Sequence, residues 1–278
     1  MIGIHIDSDP DKLLSETERV YKMNGRIIQM FVNTNTSNSD KIISIYKKLN
    51  KLLIKKNMKC VVHISYTINC SQNWNEYSWW ILQFIIEINQ ANIIGAFAVV
   101  IHLGKQLNLS YEEAINNMYM SLLYVHSKTK QYDIKILIET SSGQGSEICY
   151  ELDKLEHFYK KFSKYHHNSV KNRFGICLDT CHIFSAGYNI KNITNIKSFF
   201  KKFNKLIGLE HIKLINLNDS KNDVGSHIDR HENIGQGYIG KKSLLYIFKI
   251  FNKSKVPIIL ETPDNNLDKL EKIEKANT

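Results

Sequence analysis

The stretch Phe174-Gly-Ile-Cys-Leu-Asp-Thr-Cys-His182 combines a short apolar run with a carboxylate at its end and an imidazole one helical turn later. A run that is apolar almost throughout, without polar alternation, is typical of a parallel strand covered on both faces. Asp179 then lies at the tip of the strand, and His182 faces the same space. This stretch therefore predicts a buried parallel strand that ends in a pair of candidate metal ligands.

Seven more runs of this kind recur along the chain, and amphipathic helical patterns separate them. One such pattern follows the Ser/Asn-rich stretch Thr36–Asp40, and another follows Ser110. Alternating strands and helices in this number predict an α/β fold, a (β/α)8 TIM barrel. Because 278 residues suffice for one large core and no linker is evident, we expect a single domain spanning residues 1–278. The eight runs are Ile2–Ile6, Ile27–Val32, Lys59–Val62, Phe97–Ile101, Ile134–Ile138, Phe174–Leu178, Ile212–Ile215 and Val256–Leu260.

The composition and net charge indicate the kind of partner and the kind of compartment to expect. The formal net charge of +10 fits a polyanionic partner such as nucleic acid, although a Lys-, Ile- and Asn-rich chain can also reflect an AT-rich coding genome. The sequence lacks a leader pattern and a long apolar run, so we expect a soluble, non-secreted monomer without membrane contact. Its compartment would be the cytoplasm, the nucleus or, for a viral protein, the virion or viral factory. Five cysteines without a C-x-x-C pair predict reduced thiols.

Polar residues stand at the carboxyl ends of six predicted strands. Barrel active sites are built at these ends, and a buried carboxylate there is costly unless it is paired or bound to a cation. Each residue alone has an ordinary alternative, a hydrogen-bonded histidine or a helix-capping carboxylate, but their joint placement predicts a metal cluster at the mouth. The six are His63, His102, Glu139, Asp179, Asn216 and Glu261.

A second pair, Asp229-x-His231, lies within the glycine-studded segment Gly225–Gly240. In an extended chain both side chains point to one side, and carboxylates with imidazoles suit a zinc-type ion. His5 and His227 are ambiguous, and we expect them to support ligands or to face the substrate. The histidines without carboxylates at ligand spacing are interpreted as structural; they are His126, His157, His166, His167 and His211.

Several longer motifs resemble the apurinic/apyrimidinic endonuclease IV family across nearly the whole chain. They are His63-x-x-Tyr66, His102-Leu-Gly104, Glu139-x-x-x-Gly-Gln-Gly-Ser146, Phe174 to Tyr188, Leu217-Asn-Asp-Ser-Lys221, Gly225-Ser-His-Ile-Asp-Arg-His231, Ile239-Gly240 and Leu260-Glu-Thr262. The resemblance implies a barrel with three metal ions, typically zinc. It also implies cleavage of double-stranded DNA 5′ to an abasic site, which leaves a 3′-hydroxyl and a 5′-deoxyribose phosphate.

The same resemblance assigns ligands by position. It implies that His63 and His102 hold one metal, which Glu139 bridges to a second metal held by Asp179 and Glu261. The third metal would be held by His182, Asp229 and His231. We expect Glu139 and Glu261 to be the catalytic carboxylates.

Two positions depart from the pattern of that family. Asn216 stands where the family has a histidine, and a neutral amide oxygen is a harder donor than imidazole. We therefore expect the second metal to bind weakly or to be manganese. The stretch Asn33-Thr-Asn-Thr-Ser37 offers no counterpart of the arginine-bearing loop that follows the second strand in the family.

Phosphodiester hydrolysis requires a hydroxide at neutral pH and cations that neutralise the phosphate, and clustered metals supply both. Lys105, Lys221 and Arg230 are candidates for DNA phosphate contacts and Tyr66 for packing at the substrate gap, with an ordinary solvated side chain as the alternative for each. Two other functions stay open. One is a metal-dependent sugar isomerase or epimerase on the same barrel, and the other is a non-catalytic DNA-binding barrel.

Overall fold

Eight parallel strands close a barrel in a computed structural model, which describes residues 1–33, 39–164, 167–264 and 267. Neighbouring strands around the barrel follow the order β1-β10-β7-β6-β5-β4-β3-β2, and β8 and β9 form a separate antiparallel pair. The strands are β1 Ile2–His5, β2 Ile27–Met30, β3 Lys59–His63, β4 Ala98–Ile101, β5 Lys135–Glu139, β6 Phe174–Asp179, β7 Ile212–Asn216, β8 Asp219–Ser220, β9 His231–Glu232 and β10 Ile258–Leu260.

Helices connect the barrel strands and cover their outer faces. They are α1 Leu13–Lys22, α2 Ser39–Lys56, α3 Trp79–Ile94, α4 Tyr111–Thr129, α5 Leu152–Ser163, α6 Asn168–Lys171, α7 Thr180–Ser185, α8 Ile193–Leu206 and α9 Lys241–Lys253. A membrane span would require a long apolar helix, and the described part of the chain contains no helix of that kind.

The predicted fold class is confirmed, and the strand ends shift by at most two residues. The last predicted strand begins at Ile258 instead of Val256, because Pro257 has no N–H to donate and contributes only its carbonyl, which accepts from Ile215 N at 3.0 Å. Helix α4 begins where predicted, with Ser110 as the N-cap of a reciprocal capping box with Glu113. The predicted helix start at Thr36, the loop at residues 34–37 and His166 lie outside the described residues.

Apolar side chains from seven of the eight barrel strands, which we call the inner layer, fill the barrel interior. Because side chains alternate across a strand, each strand points every second residue inward and the others toward the helices. The inner layer is wholly buried, and its members are Ile27, Val61, Ala98, Val100, Leu137, Cys177, Leu214 and Ile259.

Candidate metal centre

Directly above the inner layer, every barrel strand contributes one polar side chain. Seven of them lie two residues after a member of the inner layer, as Glu139 follows Leu137 and Asp179 follows Cys177, and the eighth follows Gly3 at the same offset. Alternation along each strand therefore turns them toward the axis. We call these eight residues the ring. In the order of the chain they are His5, Gln29, His63, His102, Glu139, Asp179, Asn216 and Glu261.

Two imidazoles of the ring meet the carboxylate of Glu139. Nε2 of His63 lies 3.3 Å and Nε2 of His102 lies 3.0 Å from Glu139 Oε2. His63 is oriented by its other ring nitrogen, since Nδ1 lies 2.8 Å from the carbonyl of Ile64. Burial alone would raise the pKa of Glu139, but the imidazoles of His102 and His63 outweigh it and hold that pKa well below its usual range. These three residues form the first group with metal-ligand spacing.

A second group joins helix α7 to the glycine-rich segment. Asp229 Oδ1 lies 3.1 Å from His182 Nε2 and 3.3 Å from His231 Nε2. Asp179 caps α7 by accepting a hydrogen bond from His182 N at 2.9 Å, and this contact ties the helix to the ring. His182 Nδ1 lies 2.8 Å from the carbonyl of Thr140, so Nε2 is the nitrogen that faces Asp229.

The carboxylates of Asp179 and Glu261 share the amide of Asn218. Its Nδ2 donates to Asp179 Oδ2 at 2.7 Å and to Glu261 Oε2 at 3.2 Å. On the neighbouring ring position, Asn216 Nδ2 donates to Glu139 Oε1 at 2.8 Å. Ligand atoms of Glu139, Asp179 and His182 lie within 4.8 Å of one another, so this third group adjoins both of the others.

The carboxylates of the centre stabilise positive charge on the neighbouring imidazoles. Burial would lower the pKa of His231, but Asp179 and Asp229 raise it to about 9; the same carboxylates raise the pKa of His182 well above its ordinary value. Within the described part of the chain, four buried atoms here have no hydrogen-bond partner: Gln29 Oε1, His182 Nε2, Asn216 Oδ1 and His231 Nε2. Electron-pair donors left without hydrogen bonds beside carboxylates fit a bound divalent cation, so the residues present suit a metal.

The glycine-rich segment is held in place by hydrogen bonds to its backbone. Asp219 is fully buried and accepts hydrogen bonds from five backbone N–H groups, one of which is Gly237 N at 3.2 Å. Position 237 requires glycine, because a Cβ atom there would lie 2.3 Å from Ser220 O. Farther along the mouth, Gln144 Oε1 accepts from Asp229 N at 2.9 Å. These contacts fix where Asp229 and His231 can lie.

A pocket of about 440 Å³ opens beside the imidazoles of His102 and His231. Tyr66 stands at its rim with 63% of its surface exposed, and its ring centroid lies 5.0 Å from those of both His63 and His102. Lys105 and Arg230 also line the pocket with exposed side chains. Lys221 is exposed and is not among the lining residues; its backbone N–H donates to Arg230 O at 2.9 Å.

The structure adds residues that the sequence interpretation missed. Gln29 is a fully buried ring member whose Nε2 contacts Glu261 Oε1 and lies 3.2 Å from His5 Nδ1. Its signal was present, because it follows Ile27 at the same two-residue offset as the other members. Phe31 packs its ring 5.2 Å from that of His63 and 5.1 Å from that of Tyr66.

The remaining histidines lie apart from the ring. His227 takes a left-handed backbone at φ 53° and contacts Ser142 O through Nδ1 at 3.0 Å. His211 Nδ1 lies 3.1 Å from the hydroxyl of Tyr159 on the outer side of the barrel. His126 is on α4, His157 on α5, and His167 caps α6.

The fold and the ring correspond to a known class of protein. Residues 18–277 match the family model described as Xylose isomerase-like TIM barrel. The chain is 35% identical over 271 residues to "Probable endonuclease 4" of Mycoplasmopsis agalactiae, covering 94% of this chain and 91% of that protein. It is 33% identical over 243 residues to "Probable endonuclease 4" of Nitrosopumilus maritimus, covering 87% and 84% respectively. The chain belongs to the endonuclease IV family within these barrels, which confirms the resemblance seen in the motifs.

Solved structures agree with the fold. The crystal structure of endonuclease IV from Thermus thermophilus superposes with a TM-score of 0.79 at 21% identity, covering 99% of both chains. A D-tagatose 3-epimerase-like protein superposes with a TM-score of 0.72 at 18% identity, covering 99% of this chain and 96% of the other. At these sequence identities the superpositions support the barrel fold and no more.

Proposed function

We propose that the protein is a metal-dependent apurinic/apyrimidinic endonuclease of base excision repair. It would hydrolyse the phosphodiester 5′ to an abasic site in double-stranded DNA and leave a 3′-hydroxyl and a 5′-deoxyribose phosphate. The observation that carries the proposal is the convergence of overlapping groups with metal-ligand spacing on one mouth, beside a pocket lined by Lys105 and Arg230. The curated relatives named as endonucleases support the same activity.

Three zinc-type ions would be held by the groups described above. His63, His102 and Glu139 would hold the first, and His182, Asp229 and His231 would hold another. The remaining position would use carboxylates of the ring together with Asn216; those donors are Glu139, Asp179 and Glu261. Ions at such sites make a hydroxide available at neutral pH and neutralise charge on the phosphate oxygens.

The side chains of this protein would bind and orient the DNA. Lys105 and Arg230 would contact phosphates at the pocket, and Lys221 would extend the basic surface beside it. Tyr66, exposed at the rim and held against two imidazoles, would pack at the gap left by the missing base. Glu139 and Glu261 would act as the catalytic carboxylates, because both belong to the ring; Glu139 is buried, and the side chain of Glu261 is 10% exposed. We propose that the protein acts as an intracellular monomer.

A sugar isomerase or epimerase is the second candidate, favoured by the superposition on an epimerase-like barrel. Two features argue against a sugar substrate: the additional metal-ligand group of His182, Asp229 and His231, and the lysine and arginine that line the pocket. A small neutral sugar requires neither an additional ion nor cationic side chains. A non-catalytic DNA-binding barrel would not need donors left without hydrogen bonds, as His182 Nε2 and His231 Nε2 are.

Incision of a duplex with a single abasic site tests the proposal. The purified protein should cut on the 5′ side, lose activity after chelation and regain it with added zinc. Products with a 3′-unsaturated aldehyde would indicate a lyase, and metal-independent binding without incision would support the non-catalytic barrel. Turnover of ketoses or aldoses without incision would support the isomerase.

A further inference from the structure

We propose that Glu87 is a positioning residue for the metal centre: its carboxylate holds the peptide group between Ile64 and Ser65, and that peptide group orients the imidazole of His63. Glu87 lies on helix α3 and belongs to none of the groups with metal-ligand spacing. The inference deepens the proposed function and rests on it for His63 as a metal ligand.

The peptide group that joins Ile64 to Ser65 is bound at both of its polar atoms. Its carbonyl, Ile64 O, lies 2.8 Å from His63 Nδ1, and its N–H, on Ser65, donates to Glu87 Oε2 at 3.0 Å. Because a carbonyl oxygen can only accept, His63 Nδ1 carries the proton of that contact. The other ring nitrogen, Nε2, faces Glu139 at 3.3 Å. One planar group therefore connects Glu87 to the imidazole.

The backbone just before this peptide group is tied to the barrel. Ile64 N donates to Val100 O at 2.8 Å, so the chain stays paired with β4 one residue beyond the end of β3. From Ser65 the chain continues to Tyr66, which is exposed at the rim of the pocket. The contact with Glu87 therefore fixes the chain at the first residue beyond that pairing.

The carboxylate of Glu87 is buried among neutral donors. Glu87 is 2% exposed; Oε1 accepts from Gln83 Nε2 at 2.9 Å, and Oε2 accepts from Ser65 N. Burial raises the pKa of Glu87, and these two hydrogen bonds and the imidazole of His63 oppose the rise. A glutamine at position 87 could accept from Ser65 N at a lower desolvation cost. The presence of a carboxylate indicates that its charge contributes to the site.

A negative charge behind the peptide group strengthens the next hydrogen bond in the series, because hydrogen bonds in a chain polarise one another. With a carboxylate at the N–H of Ser65, Ile64 O becomes a better acceptor for the Nδ1 proton of His63. A firmly held Nδ1 proton fixes the ring and makes Nε2 a better electron-pair donor to a cation. A carboxylate that supports a ligating histidine often accepts directly from the ring, whereas here a peptide group lies between them.

Zinc titration of the metal-free full-length protein tests the proposal with two substitutions. Glu87→Gln keeps an acceptor oxygen for Ser65 N and removes the charge, whereas Glu87→Met removes both. The relevant ion is the one whose affinity falls in His63→Ala. That affinity should fall about 10-fold in Glu87→Met and by a smaller factor in Glu87→Gln. Unchanged affinity in Glu87→Met would overturn the proposal.

Gln90→Met is the matched control on the same helix. Gln90 Nε2 also holds the backbone of a loop, since it donates to Asn33 O at 3.1 Å, but that loop follows β2 and does not carry His63. Zinc affinity should therefore be unchanged in this variant. A fall equal to that of Glu87→Met would show that any loosening of α3 weakens the centre, and it would overturn the specific role of Glu87.

A double substitution separates positioning from a general effect on the fold. In His63→Ala the imidazole is absent, while His102 and Glu139 remain in the group. Adding Glu87→Met to His63→Ala should then lower zinc affinity no further, because the residue through which Glu87 acts is gone. An equal fall with and without His63 would overturn the proposal. Circular dichroism shows whether each variant is folded.

Proton NMR of the zinc-loaded protein gives a measurement that does not depend on turnover. A hydrogen-bonded imidazole N–H resonates far downfield, and the signal that is missing from His63→Ala identifies Nδ1–H of His63. This signal should move upfield in Glu87→Gln and keep its position in Gln90→Met. A signal that stays in place in both Glu87→Gln and Glu87→Met would overturn the proposal, because the peptide group would not transmit the charge.

Incision is measured separately on the same preparations. If the affinity and the NMR signal change as expected but the unsubstituted protein does not cut abasic DNA, the proposed function alone is contradicted. If the unsubstituted protein cuts and Glu87→Met leaves zinc affinity unchanged, the role of Glu87 alone is contradicted.

Discussion

Asp229 Oδ1 lies 3.1 Å from Nε2 of His182, and this contact joins the glycine-rich segment to helix α7. The backbone N–H of Asp229 is held independently by Gln144 Oε1 at 2.9 Å. The segment therefore keeps its place when the carboxylate is changed, and the contribution of the carboxylate charge can be measured by itself.

Asp229→Asn should lower zinc affinity by at least about 10-fold, because an amide replaces a carboxylate that lies within 3.3 Å of both His182 Nε2 and His231 Nε2. Zinc titration of the metal-free protein measures the change. The control is Asp223→Asn. Asp223 lies in the same loop between β8 and β9, and its exposed carboxylate pairs with Lys191 at 2.6 Å, so this substitution should leave zinc affinity unchanged. Equal affinities in all three proteins would remove Asp229 from the centre.

Glu139→Gln and Glu261→Gln should each reduce turnover by about 10²-fold or more, since they remove charge at the ring while keeping side-chain volume. Circular dichroism should show an intact fold, and DNA binding should persist. Glu156→Gln on α5, whose carboxylate pairs with Lys160 far from the mouth, serves as the control. Near-normal turnover in either ring variant would exclude that carboxylate from catalysis.

Binding of abasic duplex should weaken as salt concentration rises, because lysine and arginine contacts to phosphates release counterions. Lys105→Ala and Arg230→Ala should each flatten the slope of log affinity against log salt by about 1. The same substitution at Lys51, exposed on α2, provides the comparison. Identical slopes would show that the positive charge of the pocket plays no part in binding.

Tyr66→Ala should reduce the preference for abasic over intact duplex by about 1 kcal/mol or more, since it removes the aromatic ring at the pocket rim. Tyr66→Phe should retain the preference, because packing against the imidazoles of His63 and His102 depends on the ring and not on the hydroxyl. Fluorescence anisotropy with matched duplexes measures both. A loss in Tyr66→Phe equal to that in Tyr66→Ala would mean that the hydroxyl, not the ring, is needed.

Asp219→Ala should destabilise the protein by several kcal/mol, because five backbone N–H groups lose a buried carboxylate and each unsatisfied donor costs about 1–3 kcal/mol. Urea denaturation gives the free energy of unfolding. Asp219→Asn, which keeps one acceptor oxygen, should lie between Asp219→Ala and the unsubstituted protein. A negligible loss in Asp219→Ala would show that water replaces the carboxylate.

The sequence predicted the barrel because each strand carries its own signal, an apolar run that ends in a polar residue. It also predicted that residues such as His102 and Glu139 lie close together, since the ends of parallel strands meet at one mouth; the two side chains are 3.0 Å apart. Their roles as metal ligands stay predictions.

Contacts across the closure of the barrel could not be predicted in the same way. Gln29 reaches Glu261 because β1 pairs with both β10 and β2, and no local pattern in either segment indicates that pairing. The hold of Gln144 on Asp229 likewise depends on how two loops meet above the barrel. Such contacts depend on the tertiary structure.

The ring lies two residues beyond the inner layer along the strands, so the side chains that pack the barrel core and the polar side chains at its mouth occupy different positions. Leu137 and Glu139 occupy successive inward positions of one strand, so an exchange at position 139 leaves the packing at position 137 untouched. A single substitution in the ring can therefore change the chemical groups at the mouth without rebuilding the scaffold. In such a barrel the residues at the mouth can change more readily than the residues of the core.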